Sequence, residues 1–182
     1  MWKPLFAIAI LAGLGLAGYL LFFTAGLATT PSPTPSALGS VEPLKPARQA
    51  PAGYREYRSE PYRFAVFYPD ALSVREYNEG GGATTITFQN IAEGQGFQIY
   101  ALPYGASQVG PDRLAKDAPG GVKEPKDFTL DGAPANAFFS TSAALGDTRE
   151  VWFINDGFLY EVTTHKSLDS WLDQILQTWQ FI

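Results

Sequence analysis

Cysteine is absent from all 182 residues, which excludes a disulfide, a zinc thiolate site, a thiol nucleophile and a lipidated cysteine. Histidine occurs once, as His165. Lysine and arginine never form a run. From Tyr54 onward 10 basic residues face 17 acidic ones, a balance of 10 − 17 = −7. That deficit of clustered positive charge argues against nucleic acid as a partner and against docking on an anionic lipid surface. Charge of either sign is missing between Lys3 and Glu42.

The uncharged stretch contains the longest apolar run. Leu5 to Leu27 reads LFAIAILAGLGLAGYLLFFTAGL. At about 1.5 Å per residue it reaches roughly 34 Å as a helix, against about 30 Å of bilayer hydrocarbon. It exceeds the usual signal-peptide apolar region of about 7–15 residues, so residues 1–28 are expected to form a retained signal-anchor. Cleavage after Ala28 is the rival, since Gly26 and Ala28 place small residues at the −3 and −1 positions. The short head with Lys3 is expected inside and the rest outside the cell membrane, single-pass, with the domain on the extracytoplasmic side. Ala9, Gly13 and Ala17 recur every fourth residue, a ridge that permits close helix pairing but is common in membrane spans. Residues 29–53 carry six prolines, at 31, 33, 35, 43, 46 and 51, and no apolar period. They read as a stiff spacer, with a ligand for a proline-binding module as the sharper alternative.

Residues 54–182 carry the folding pattern. Tyr54 to Ser59, Arg63 to Tyr68, Leu72 to Tyr77, Thr84 to Gln89 and Gly96 to Tyr104 read as strands, with a hairpin at Gly80-Gly81-Gly82. Pro111 opens a short helix over 112–117, and 119–126 reads as loop. Further strands are expected at Phe128 to Leu130, Ala135 to Ser142, Arg149 to Ile154 and Phe158 to Thr164. The last two flank Asn155-Asp156-Gly157, which is turn chemistry. Leu168, Trp171, Leu172, Ile175, Leu176 and Trp179 fall on one face of a closing helix. Val151 and Phe153 alternate with Trp152 and Ile154, so both faces of that last hairpin are apolar and a sheet covered on both sides is expected. The fold class is α+β, a mainly antiparallel β-sheet with packed helices.

Four segments, in this order, resemble the PsbP-like domains of the Mog1/PsbP fold. They are Tyr62-Arg63-Phe64-Ala65-Val66-Phe67-Tyr68-Pro69, Leu130-Asp131-Gly132-Ala133-Pro134-Ala135, Gly157-Phe158-Leu159-Tyr160-Glu161-Val162 and Ile175-Leu176-Gln177-Thr178-Trp179-Gln180-Phe181. The resemblance implies an αβα sandwich over residues 54–182, usually exported. The photosynthetic members are extrinsic photosystem II subunits. No residue here carries over their oxygen-evolution role, and the anchor and spacer depart from those soluble relatives.

His165 lies near Ser167 and Asp169, but Ser167 reads as the N-cap of the last helix and Asp169 as its first-turn acid, so no triad is expected. Gly105 to Gly110 misses the nucleophile-elbow spacing and reads as loop. Gly80-Gly81-Gly82 feeds a strand, not a helix N-terminus, so a phosphate cradle is not expected. Asp112, Asp117, Glu124, Asp127 and Asp131 match no calcium-loop spacing and alternate with Arg113, Lys116, Lys123 and Lys126. Glu76 and Glu79 flank a turn, poor ground for acid–base work. Tyr54, Tyr57 and Tyr62 are expected to pack rather than form an exposed patch. The sequence thus assigns no catalytic residue, metal ligand or cofactor, and leaves the binding residues open. It points to a membrane-anchored, non-catalytic binding or accessory module of the cell envelope with a protein partner. An extracytoplasmic hydrolase is the alternative; a pilus-type subunit ranks last, because Leu5 to Leu27 lacks the glutamate such a helix carries.

Overall fold

The computed structural model describes residues 48–118 and 120–182. The expected anchor at Leu5 to Leu27 and nearly all of the spacer lie outside those residues. Among the described residues no helix is long and apolar enough to cross a membrane. Ten strands and two helices follow in the order β1 Tyr54–Ser59, β2 Phe64–Pro69, β3 Ser73–Gly80, β4 Ala83–Asn90, β5 Gln95–Pro103, α1 Pro111–Asp117, β6 Lys123–Leu130, β7 Ala133–Ser142, β8 Gly146–Asn155, β9 Phe158–His165, α2 Asp169–Leu176 and β10 Gln180–Phe181. Seven strands form one antiparallel sheet in the order β3-β4-β5-β9-β8-β7-β6, and three form a smaller sheet, β1-β2-β10.

Strand register explains why the large sheet has two different faces. Side chains alternate across a strand, so paired residues line up in rows on one face. Ile86, Ile99, Val162, Val151 and Ala137 form one such row across β4, β5, β9, β8 and β7, and all five are fully buried. This first face packs against β2 and α2. Phe64 of β2 stacks on Trp179 with ring centroids 4.4 Å apart, and Phe153 stands edge-on to Trp179 at 4.9 Å. Leu172, Ile175 and Leu176 are the buried face of α2, at the i, i+3, i+4 spacing an amphipathic helix requires. Each such side chain contributes about 1.5–3 kcal/mol through its burial.

The end of α2 is clamped to the small sheet by one side chain. Thr178 Oγ1 donates to the Ile175 carbonyl at 2.7 Å and accepts from the Phe67 amide at 2.9 Å. The chain then turns, and Gln180–Phe181 pair with Ala65 and Phe64. At the other end Arg48 reaches back to the domain, with Nε 3.4 Å from Glu56 and its guanidinium 4.3 Å from the Phe67 ring centroid.

Three expectations change. The segment 119–126 is not all loop, because β6 begins at Lys123. It is the outer edge of the sheet, where exposed lysines, Pro125 and an irregular register between Lys123 and Lys126 replace apolar alternation. The closing helix stops at Leu176, so Trp179 reaches the core from the turn beyond it. Ser167 does not cap α2: it sits within a 3-10 turn, Lys166–Leu168, and no side-chain cap bond is made at either start. The small sheet β1-β2-β10 is an addition to the expected sandwich: it joins α2 in covering the first face.

Candidate functional site

The second face of the large sheet is the unusual one. Register places Thr85, Tyr100, Glu161, Trp152, Asn136 and Asp127 in one row across β4, β5, β9, β8, β7 and β6. The next row sets Glu150 opposite Thr163 and Phe138. Two carboxyls, Glu150 and Glu161, are thus buried on neighbouring strands, 7% and 6% exposed.

α1 covers this acidic centre. The β9 turn holds the approach, since the Tyr104 amide donates to the Gly157 carbonyl at 2.7 Å. A loop over 104–110 then leads to Pro111 at the first helical position, where the missing N–H costs nothing. Arg113 projects from α1 and donates from Nε and Nη2 to one oxygen of Glu161, at 3.0 and 2.9 Å. It also pairs with Asp117 one turn later. Leu114 and Ala118 rest on Phe138 and Trp152, whose rings meet edge-on at 5.3 Å.

Arg113 therefore faces two acids, Glu161 and Asp117, and Glu150 lies on the strand beside Glu161. Burial raises the Glu161 carboxyl to about 8; Arg113 opposes the shift, while Asp117 and Glu150 add to it. Burial also raises Glu150, against the hydrogen bonds it accepts. Thr163 donates to Glu150 Oε2 at 2.7 Å and the Trp152 indole N–H at 3.4 Å. For Arg113 burial works to lower the value, but Glu161 and Asp117 outweigh it, and the guanidinium stays charged. The carbonyl oxygen of a neutral Glu161 can still accept both Arg113 bonds through its two lone pairs.

Beside α1 the same face opens into a groove of about 450 Å³. Trp152, Phe138 and Ile154 form its floor, Val109 and Leu114 one wall, and Val122 with Pro125 the other. Its polar features are few: Ser107, Gln108, and an Asp127–Asn136 hydrogen bond of 2.7 Å. Val122 is 41% exposed, one of two large apolar side chains left in water among the described residues. An apolar groove of this volume with a few polar points is the usual form of a binding site.

The residues weighed from the sequence are dispersed. His165 is half-buried, its Nδ1 3.1 Å from the Leu145 carbonyl, beside a pit of about 20 Å³ that is too small for a substrate. Asp169 lies in the first turn of α2 and pairs with Arg149 at 2.7 Å. Ser167 is exposed. His165 therefore gives the hydrolase alternative no support. Gly80, Gly81 and Gly82 are the β3–β4 hairpin, all at positive φ, and Gly105 to Gly110 is loop. The five acids split: Asp112 in the first turn of α1, Asp117 with Arg113, Glu124 with Lys166, Asp127 with Asn136, and Asp131 accepting from the Phe181 amide. Glu76 accepts from Tyr57 at 2.8 Å, and Glu79 is exposed. Tyr57 and Tyr62 pack against the main core, and Tyr54 is half-buried in β1. The sequence pattern alone does not single out Glu150, Glu161 or Arg113 as a site. The available signal was a charge at an inward position of an otherwise apolar strand, in REVWF and LYEVT.

No protein-family profile matches the chain, and no curated protein does. A solved structure does match. The domain is of the α+β class in which a broad antiparallel sheet carries helices and a smaller sheet. Its likeness is to the solution structure of cyanobacterial PsbP (CyanoP) from a Synechocystis species, with a TM-score of 0.51 and 10% identity, covering 81% of this chain and 99% of that one. At that identity the likeness shows a PsbP-like fold.

Proposed function

We propose that this protein is a membrane-anchored, extracytoplasmic accessory module that binds a protein partner through the groove beside α1 and catalyses nothing itself. The carrying observation is the groove: about 450 Å³, floored by Trp152 and Phe138 and rimmed by the exposed Val122. The occupant is a partner segment that lays an apolar side chain against Val122 and offers a hydrogen-bond donor to Asp127. The PsbP-like fold supports an accessory role, and the Leu5 to Leu27 run supports anchoring.

A photo-cross-linker placed at Val122 or Ser107 in intact membranes tests the binding. One and the same partner should be captured from both positions, not from Ile91, and should be lost with Asp127→Ala. Capture spread evenly over all three positions would refute the groove. Resistance to alkaline carbonate extraction, with the domain open to added protease on intact cells, tests the anchor and its orientation.

A further inference from the structure

The large sheet ends in two edge strands, and only one of them is blunted. β6 carries exposed lysines, Pro125 and an irregular register, devices that keep an edge from pairing. β3 has neither lysine nor proline. Its register with β4 is regular from Ser73 to Asn78 and shifts only beside the turn. Six of its eight residues are exposed, and the other two, Val74 and Tyr77, are partly so. Among the described residues no strand pairs with its outer side. The backbone N–H and C=O groups on that side are therefore open to a further strand.

The charges on β3 select which strand that is. Arg75 and Glu79 are exposed, and neither has an ion-pair partner among the described residues. A second β3 related by a twofold axis runs antiparallel, and residues facing each other across the pair lie on the same face of the sheet. Centring the pair on Arg75 or on Glu76 sets like charges against each other. Centring it on Tyr77 sets Arg75 opposite Glu79 of the second copy at both ends, Glu76 opposite Asn78, and the two tyrosine rings side by side. Opposite charges and aromatic pairs across a ladder are favourable, and like charges are not. Glu76 of each copy stays with its own Tyr57 hydroxyl, 2.8 Å away. We propose that β3 is a dimer edge: two copies of this chain join β3 to β3, antiparallel about Tyr77, into one continuous sheet. So short a ladder buries little surface, and the pairing is weak in dilute solution. Anchoring in a shared membrane raises the local concentration of the two copies, but the edge pairing does not depend on it.

The chain has no cysteine, so one introduced cysteine reports one contact. Facing Cα atoms in an antiparallel ladder lie about 4.5–5.5 Å apart, within disulfide reach. In the full chain, concentrated in a mild detergent and oxidised with copper phenanthroline, Tyr77→Cys should form a disulfide-linked dimer. Arg75→Cys alone should not, because its two copies lie roughly 14 Å apart in this register. Mixed with Glu79→Cys, it should. Ile91→Cys, 61% exposed and away from the edge, reports random collision. Arg75→Glu added to Tyr77→Cys should slow dimer formation roughly tenfold, and Glu79→Arg added to both should restore it. Arg75 and Glu79 are exposed and Tyr77 is partly so, and these variants keep the fold. No disulfide with Tyr77→Cys overturns the proposal, and is the result expected if the edge serves another protein's strand. So does equal capture at Ile91→Cys, or a rate indifferent to Arg75→Glu.

Discussion

The buried carboxyl of Glu161 makes stability depend on alkaline pH. Its value is about 8 in the fold against 4.5 for an ordinary glutamate, because burial disfavours the charge more than Arg113 restores it. The folded state therefore holds a proton that the unfolded state has released. A raised acid contributes most below about pH 4.5, where both states are protonated, and its contribution is lost as pH climbs through about 8. Taking those two values, one site costs about 2–3 kcal/mol of stability between about pH 6 and about pH 9. Glu150 is raised by burial too and adds in the same direction. Urea unfolding of the intact chain, solubilised in a mild detergent, measures this. The midpoint should fall by roughly 1–2 M across that interval. In Glu161→Gln the neutral amide keeps an oxygen for Arg113 but has no proton to lose. That variant should lose most of the slope, match the parent near pH 6 and exceed it near pH 9. A parent and variant with parallel profiles would refute the reasoning, because the acid would then be ionised throughout.

Other outcomes follow from named contacts. Thr178→Val removes the acceptor of the buried Phe67 amide and should cost about 1–3 kcal/mol in chemical denaturation, with Thr178→Ser recovering most of it. Ile99→Ala, at the centre of the five-strand row, should cost about 2–5 kcal/mol by the same assay. At Gly96 an added Cβ would sit 2.7 Å from the Phe88 carbonyl oxygen, so Gly96→Ala should destabilise by about 1–3 kcal/mol and shift the β4–β5 amide signals. His165→Ala loses one half-buried hydrogen bond and should stay within about 1.5 kcal/mol of the parent.

Local pattern carried much of the fold. The alternation of Val151 and Phe153 with Trp152 and Ile154 implied two covered faces, and the two clusters do fall on opposite sides of β8. The Asn155-Asp156-Gly157 turn and the glycine hairpin at 80–82 appear where their chemistry put them. What local pattern could not carry was pairing at a distance. Phe64 meeting Phe181 joins residues at opposite ends of the domain, and no periodicity announces it. The same holds for the candidate site. Glu161 and Arg113 are 48 positions apart, and only the register of β9 and the docking of α1 bring them together. A strand glutamate reads as solvent-facing until its strand is known to be covered. Lys123 to Lys126 failed the other way: an edge strand stays polar and so looks like loop.

The pairing of β10 with β2 has a bearing on how the protein is made. The amide of Ile182 donates to the carbonyl of Arg63 at 3.0 Å, and Trp179 fills the space over Phe64. A chain still emerging from the ribosome leaves Phe64 uncovered until residues 179–182 are made and reach it. Closure waits on a segment far along the chain, and such long-separation contacts fold slowly. A chain cut before Trp179 would leave the first strands with nothing to close on.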